Sequence, residues 1–378
     1  MEQNLQIKTI TETDFVGSVS HTIYKGRAVF EIGNIGYSSD IEIYTAASGA
    51  YIKYNLDSNL SLSFEDIQFS GSLDDGTFIK GSVIGSAGLC ISECNELQIG
   101  EFDKIQSIET ILLGCYFQHK FSLDYKVYHI QFLPSITSPD VAKRTYRLNQ
   151  TLLEGNPVVI TCENLNIDDV NNLFREICRF LRPLVASEVY FGRLMINQKS
   201  MIYHRLKMKG NLFGMKNNVL ESTIQYSEYL KSGLEKWENL SEFDKVTIID
   251  VGHALATSNG CGLLETGLLV LVVALERLSK NEMNAHFRIS IDNYLKINGW
   301  TQEHDIEAIK DLRNSLAHSG VLPENFDKEK AKLIQVQLEY FLLIAVLDKL
   351  DFKGRISASK DGWRIFPMVE DVKVGNME

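Results

Sequence analysis

The chain has 378 residues, more than one hydrophobic core usually serves, so its length predicts two or three domains. A hydrophobic fraction of 44%, a charged fraction of 23% and only six prolines exclude a disordered or collagen-like protein. The net charge of −11 opposes long-range attraction to a phosphate backbone, which excludes general coating of nucleic acid. Any contact with nucleic acid must therefore come from a local basic patch.

The sequence carries no signal for a membrane or for export. Its first residues lack the basic segment and following apolar run of a secretory signal. The longest apolar stretch lies within 263–278 and is interrupted by Glu265, Thr266 and Gly267, so it is too short and too polar for a membrane span. The six cysteines are scattered without a C-x-x-C pair. We therefore expect a cytoplasmic protein with no membrane contact and with reduced cysteines.

The first third of the chain consists of short runs in which apolar and polar residues alternate between turn signals. The clearest runs are Ala28–Ile32, Ile41–Tyr44, Leu60–Phe64, Phe78–Ile79 and Val127–Phe132. Alternation with a period of two is typical of strands buried on one face, so we predict a β-sandwich or a β-barrel. A mixed α/β segment follows near 157–209. Its predicted elements are a helix at 168–184 and strands at 157–162, 189–196 and 200–208.

After about residue 217 the hydrophobic period becomes helical and stays so until Leu350. The predicted helices cover 220–237, 243–255, 262–278, 300–318 and 327–350. In the fourth helix, Thr301 is the predicted N-cap and Gly320 follows the predicted end. The predicted buried stripe of that helix consists of Ile306, Ile309, Leu312 and Leu316.

These patterns together predict an α+β protein with separate β-rich and helical parts. We expect an N-terminal β-rich domain at 1–212, an all-α bundle at 219–352 and a tail at 353–378. The tail contains one candidate strand, Trp363–Phe366.

Basic residues are concentrated in one part of this acidic chain. Six basic residues and no acidic ones lie between Val189 and Leu220. If the segment after Tyr203 is a strand, Arg205, Lys207 and Lys209 share one face with that tyrosine. Such a row predicts an RNA-binding track. A solvated edge strand, protected by its lysines against aggregation, explains the same pattern.

Arg313 and His318 combine the side chains that a metal-free cleavage of RNA requires. Arg313 lies four residues after Ile309, at the rim of the buried stripe, where a guanidinium needs a partner. A histidine gains or loses a proton near neutral pH, and an arginine holds a phosphate and stabilises its developing charge. The ribose 2′-hydroxyl supplies the nucleophile, so neither a metal nor another cofactor is expected.

The spacing of this pair raises a geometric difficulty. Residues five apart on an ideal helix are separated by about 140°, so the two side chains point to different faces. Either the helix loosens between Ala317 and Ser319, or a second copy of the chain completes the site. A helix end stabilised by His318, with Arg313 in a structural salt bridge, is the alternative that involves no catalysis.

The sequence R-N-S-L-A-H at 313–318, after an apolar helix ending in V-A-L-E-R-L at 273–278, resembles the HEPN superfamily. The resemblance is strongest to its Apea-like branch, which carries an R-N-x-x-x-H motif behind a helix with an A-L-E element. It covers about 219–350. The β-rich region is loosely similar to the domain that precedes such modules in ApeA-type abortive-infection proteins.

The resemblance implies a homodimeric bundle in which two motifs face one cleft and cleave RNA without metal. Arg313 and His318 are then catalytic, Asn314 positions them, and Glu276 supports them from the preceding helix. The residues themselves agree on Glu276, because a carboxylate ending an almost wholly apolar helix requires a cation if it is buried. A glutamate on the helix surface is the alternative for this position. Gly320 stands where related toxins carry a regulatory tyrosine, so modification at that position is not expected.

The sequence thus predicts a HEPN endoribonuclease that leaves 2′,3′-cyclic phosphate and 5′-hydroxyl ends, in an antiviral or toxin-like system. Transfer RNA and messenger RNA both remain candidate substrates, and the N-terminal domain is expected to receive a phage-derived or other trigger. Two alternatives stay open. One is a non-catalytic HEPN dimer that binds a ligand or a protein, and the other is a glycan-binding β-rich domain. The three tryptophans weigh against glycan binding, because all of them lie outside the β-rich region.

Overall fold

The structure is a computed structural model, and the chain divides into two compact units. The first unit comprises Met1–Phe174 and Tyr190–Lys207, and the second comprises Arg175–Val189 and Met208–Glu378. The described residues are 22–46, 49–57, 66–84, 88–115, 117, 119–134, 155–186, 188–204, 223–261, 263–283, 293–294, 303–324, 326–352, 355–356, 359–360, 363–364 and 372–373.

Antiparallel strands make up most of the first unit. The strands are β1 (Thr22–Ile32), β2 (Ile35–Ala46), β3 (Gly49–Leu56), β4 (Asp66–Leu73), β5 (Phe78–Ile84), β6 (Gly88–Ile99), β7 (Ile105–Leu113), β8 (Phe121–Tyr125), β9 (Tyr128–Phe132), β10 (Gly155–Leu165), β11 (Tyr190–Phe191), β12 (Leu194–Ile196) and β13 (Ser200–His204). They pair in the order β3-β2-β1-β4-β5-β6-β13-β12-β7-β10-β9-β8, and β11 also pairs with β7.

The first six strands close into a barrel because β6 is long enough to pair with two neighbours. Its residues 88–93 pair with β3, and its residues 94–99 pair with β5. Alternating residues of these strands fill the interior, as the period of two requires. The interior side chains include Phe30, Tyr54, Phe69, Ile43, Ile52, Ile79 and Leu97. Of the two predicted β architectures, the barrel is the one that forms.

The remaining strands extend this sheet from the second half of β6. Its residues 96–99 pair with β13, and β12 and β7 follow. The side chain of Asn156 on β10 is buried here and binds backbone only. It accepts a hydrogen bond from the Phe117 N–H at 3.0 Å and donates to the carbonyls of Phe117 at 3.1 Å and Leu133 at 2.8 Å. A buried amide whose hydrogen bonds are made in this way fixes the backbone of Phe117 and Leu133 against β10.

The predicted strand at 189–196 is wrong as a continuous element. It forms two short pieces, β11 and β12, which both pair with β7. Between them, Gly192 donates its N–H to the Ile111 carbonyl at 2.7 Å, outside the ladder of either piece. The predicted helix at 168–184 is confirmed as α1 (Ile167–Val185).

The described residues of the second unit include five further helices. They are α2 (Thr223–Trp237), α3 (Glu242–Gly260), α4 (Leu264–Met283), α5 (Glu303–Ser319) and α6 (Lys328–Lys349). Ser241 and Asp327 cap α3 and α6 by accepting hydrogen bonds from backbone N–H groups three residues later. Beyond α6, Arg355–Ile356 pairs with Val372–Lys373, and Ser359–Lys360 pairs with Trp363–Arg364.

The α+β architecture predicted from the hydrophobic periods is confirmed, with a β-rich part followed by helices. We predicted that the segment near 157–209 belongs wholly to the β-rich domain, whereas Arg175–Val189 groups with the helices. The predicted strand Leu60–Phe64 and the predicted N-cap Thr301 lie outside the described residues.

Candidate active site on helices α4 and α5

Helices α4 and α5 bury their apolar faces in the helical unit. The buried residues of α4 include Leu268, Leu271, Val272, Leu275 and Leu278. On α5 the predicted stripe of Ile306, Ile309, Leu312 and Leu316 is buried throughout. Because spacings of three and four residues return to the same side of a helix, this burial fixes the rotation of α5. The rotation in turn decides where the polar residues of the motif point.

Glu276 of α4 and Arg313 of α5 face each other. One guanidinium nitrogen of Arg313, Nη2, lies 3.7 Å from Oε2 of Glu276. The side chain of Glu276 is 15% exposed and that of Arg313 is 29% exposed. The pair therefore lies at the edge of the core, where a charge is screened less than at an open surface.

Asn314 links this pair to the outer face of α5. Arg313 donates from Nη1 to Oδ1 of Asn314 at 3.3 Å. On the helix, Asn314 lies about 100° from Arg313 but only about 40° from His318. Its exposed side chain thus contacts the guanidinium while sharing the face of the imidazole. This arrangement suits the positioning role that the resemblance assigns to Asn314.

His318 is exposed in the last turn of α5. Hydrogen bonds of the neighbouring residues stabilise this turn. Ser319 Oγ donates to the Ser315 carbonyl at 2.7 Å, and Ser315 Oγ donates to the Val321 carbonyl at 2.8 Å. Gly320 ends the helix with a φ of +71°, and its N–H donates to the Leu316 carbonyl at 3.1 Å. A glycine adopts this left-handed conformation without steric cost.

The helix does not loosen between Ala317 and Ser319, so the first of the two ways to unite the motif is excluded. Because α5 is helical through Ser319, Arg313 turns towards α4 while His318 faces solvent. A single chain does not bring the guanidinium and the imidazole together. A shared site requires a second copy of α5.

A second ion pair borders the candidate site and was not found from the sequence. Arg277, next to Glu276 on α4, forms an ion pair with Asp250 of α3. Arg277 is the more exposed partner, at 57% against 31% for Asp250. No local signal pointed to this pair, because its two residues come from different helices. It links α4 to α3.

The predicted RNA track falls almost wholly outside the described residues. Arg205, Lys207 and Lys209 lie there, so their placement is not described. Tyr203, which was expected to share their face, belongs to β13 and is buried against the barrel core. Its hydroxyl lies 3.4 Å from the sulfur of Met201.

In the part of the chain that the structure describes, no group of three or more histidine, cysteine, aspartate or glutamate side chains is placed to hold a metal ion. No disulfide joins any of the six cysteines. Burial raises the pKa of Cys94 to about 12, so this thiol stays protonated and is a structural group. Among the described helices, none combines the length and the hydropathy that crossing a bilayer requires.

Comparison with known proteins adds no relative. No protein-family model, no curated protein and no solved structure matches the chain. The features that indicate a function are therefore the sequence motif at 313–318 and the geometry of α4 and α5.

Proposed function

We propose that the protein is a metal-independent endoribonuclease of the HEPN type, in which Arg313 and His318 are the catalytic residues. The observation that carries the proposal is the position of the motif on α5. The guanidinium of Arg313 is oriented by Glu276 of the neighbouring helix and contacts Asn314. The side chain of His318 is exposed to solvent. This set supplies a fixed cation for a phosphate and, on another face of the same helix, an exposed proton carrier.

The proposed reaction uses only the RNA and these side chains. The ribose 2′-oxygen attacks the adjacent phosphorus, the bond from phosphorus to the 5′-oxygen breaks, and a 2′,3′-cyclic phosphate and a 5′-hydroxyl form. The proton lost by the 2′-hydroxyl ends on the departing 5′-oxygen, and His318 carries it as general base and then general acid. Arg313 stabilises the additional negative charge on the phosphorane oxygens.

The active form is a homodimer. Because Arg313 and His318 lie about 140° apart on one continuous helix, His318 of one protomer acts beside Arg313 of its partner. We extend the proposal to a cytoplasmic antiviral or toxin-like system that cleaves transfer or messenger RNA. The β-rich unit then receives the trigger, a phage-derived or other protein or ligand.

The test is RNA cleavage in the presence of EDTA by full-length wild type, Arg313→Ala and His318→Ala. We expect cleavage by wild type only, with cyclic phosphate ends on the 5′ product. His119→Ala is the matched control, because His119 is an exposed histidine of the other unit. Equal cleavage by wild type and His318→Ala, or cleavage that EDTA abolishes, contradicts the mechanism.

One observation favours a second candidate function, a non-catalytic dimer that binds a ligand or a protein. Arg313 is engaged by Glu276 and Asn314, which is also what a purely structural arginine does. This alternative predicts that Arg313→Ala lowers the melting temperature while wild type cleaves no RNA in the presence of any trigger. The nuclease proposal predicts that His318→Ala is inactive. Its melting temperature should equal that of wild type, because the imidazole of His318 is exposed.

A further inference from the structure

Three arginines lie on one outward face of α1, within the helical unit. Arg175, Arg179 and Arg182 are spaced by four and three residues, so they deviate from a common line by about 40° or less. We call this surface the arginine face. The opposite side of α1 is buried through Ile177, Phe180 and Leu181. Arg175 is exposed, and the other two arginines are half-buried.

Within the described ranges, a carboxylate neutralises only one of these arginines. Arg182 Nε lies 2.9 Å from Oε2 of Glu188, and its Nη1 lies 3.2 Å from Nε2 of His253. His253 Nδ1 in turn lies 3.2 Å from Oε1 of Glu188, which closes a triangle of three side chains. Among the described residues, Arg175 and Arg179 form neither a salt bridge nor a hydrogen bond through their side chains.

Arg179 is held in place by an aromatic ring instead. Its guanidinium carbon lies 5.3 Å from the ring centre of Trp237, and the buried Trp237 is itself fixed edge-on against Phe180. A guanidinium over an indole is stabilised by the negative face of the ring. Because its N–H groups lie in the guanidinium plane, this contact leaves donors available for a phosphate.

The charges of the arginine face are close enough to affect one another. Burial lowers the pKa of Arg179, Arg175 and Arg182 lower it further, and Glu176 acts in the opposite direction. Two positive charges one helical turn apart thus have no ion-pair partner within the described part of the chain, whose full sequence has a net charge of −11. Bound anionic groups relieve this repulsion.

We propose that Arg175 and Arg179 bind consecutive phosphates of single-stranded RNA, so that the arginine face of α1 is a substrate-docking surface. The inference rests on the proposed ribonuclease function for the identity of the polyanion. An exposed row of cations along a helix suits a chain of phosphates, whereas a single phosphate is usually held by donors that converge from a helix N-terminus or a loop. Arg182 borders the track but is already neutralised by Glu188.

The test measures RNA binding separately from cleavage. Full-length protein carrying His318→Ala binds fluorescently labelled single-stranded RNA in EDTA, and affinity is followed by anisotropy between about 50 and about 200 mM salt. Arg175→Gln/Arg179→Gln in the same background removes two phosphate contacts. We expect its logarithmic salt slope to be shallower by about 1.4, at about 0.7 for each lost contact. The loss of affinity is the same for two unrelated RNA sequences, because phosphates carry no sequence information.

Two matched variants separate this local effect from net charge and from helix stability. Lys328→Gln/Lys332→Gln makes the same charge change with the same spacing at two exposed positions in the first turns of α6, and we expect its slope to equal that of the His318→Ala parent. Arg175→Lys/Arg179→Lys keeps both charges and retains the slope. If the glutamine pair unfolds, Arg175→Gln alone is expected to lower the slope by about 0.7, because Arg175 is exposed.

Each outcome decides either the inference or the nuclease proposal. Three results overturn the inference. They are an unchanged salt slope in the glutamine variants, a loss of RNA affinity no larger than that of the α6 control, and no RNA binding by the His318→Ala parent. Displacement of the RNA by inorganic phosphate at about 1 mM identifies a single-phosphate site instead and also overturns it. RNA binding that depends on the arginine face, without cleavage by wild type, contradicts only the nuclease proposal.

Discussion

Glu276 holds Arg313 against α4, with a carboxylate oxygen 3.7 Å from a guanidinium nitrogen. This contact joins the two helices that carry the candidate site, and it directs the guanidinium away from the face that presents His318. The orientation of Arg313 is therefore set by tertiary packing between helices. A change at Glu276 should alter both the stability of the helical unit and the position of the cation.

We expect a coupling energy of about 0.5 to 1 kcal/mol between Glu276 and Arg313. This is the upper part of the range for exposed ion pairs, because solvent screens a partly buried pair less. The measurement is a double-mutant cycle with Glu276→Gln, Arg313→Gln and the double variant, from denaturant unfolding. Lys231 and Glu235 provide the comparison, since this 4.0 Å pair on α2 is more than half exposed and should couple by less than about 0.3 kcal/mol. Equal coupling energies in the two cycles would show that burial does not strengthen the first pair.

Gly71→Ala should severely destabilise the barrel. A Cβ at Gly71 would lie 2.1 Å from the Arg27 carbonyl oxygen and 2.7 Å from the Ala28 Cα, so β1 and β4 would have to separate. We expect a cost of about 3 kcal/mol. Ser72→Ala, at the exposed neighbouring position of β4, should change stability by less than about 0.5 kcal/mol.

Hydrogen exchange distinguishes these two barrel variants, because it reports each unit separately in a chain of two units. In Gly71→Ala, amides of β1 and β4 should exchange much faster, while those of α4 keep their wild-type rates. Unchanged protection in β1 would contradict the close approach of the two strands. The measurement does not depend on two-state unfolding of the whole chain.

Asp244 makes part of the stability of the helical unit dependent on pH. Burial alone raises its pKa, but hydrogen bonds from Lys349 and Ser241, at 2.7 and 2.6 Å, outweigh burial and bring the pKa below its ordinary value. The folded state therefore binds the proton more weakly than the unfolded state. The resulting stabilisation is complete above about pH 4, the ordinary range of aspartate, and disappears as the pH falls through the lower folded pKa.

We therefore expect Asp244→Asn to cost about 1 kcal/mol at pH 7, since Asp244 is 28% exposed and solvent weakens the ion pair. The difference from wild type should stay constant down to about pH 4 and shrink below it. Lys349→Gln removes the same interaction and should follow the same pH course. Urea unfolding from pH 7 to about pH 3.5 provides the measurement, and a penalty that grows in acid would mean that the sign is wrong.

Periodic patterns predicted the elements but not the way distant elements meet. Ile306 and Leu316 could be assigned to the buried side of α5 because spacings of three and four residues determine the face of a helix. Closure of the barrel depends on the pairing of β3 with β6, as between Lys53 and Ile91, and no local pattern specifies which distant strands pair.

The same limit applies to the functional surfaces. A carboxylate at the end of an apolar helix predicted that Glu276 needs a cation, and the structure places it beside Arg313. The sequence did not predict the arginine face, because Asp168, Asp169, Glu176 and Glu188 offset the three arginines and the segment 168–188 shows no excess of positive charge. The charge available on this face depends on which arginines have a partner. That depends on tertiary packing, which places Glu188 beside Arg182 and Trp237 beside Arg179.

The separation of Arg313 and His318 on one helix leads to a prediction about mixed dimers. If each site takes Arg313 from one protomer and His318 from its partner, the inactive variants Arg313→Ala and His318→Ala should complement each other. In a mixed dimer one site receives both alanines and the other receives both native residues. An equimolar mixture that exchanges subunits freely contains half mixed dimers, each with one native site of two, so activity should recover to about a quarter of wild type.

The recovered activity distinguishes a shared site from a site within one chain. A site formed by Arg313 and His318 of the same protomer gives no recovery, because each protomer then carries one defect. Covalent tandem fusions of the two variants remove the dependence on exchange and should retain about half of the activity of a wild-type tandem. Absence of recovery in the fusion, together with full activity of the wild-type tandem, would exclude the shared site, since α5 offers no bend that unites the two side chains within one chain.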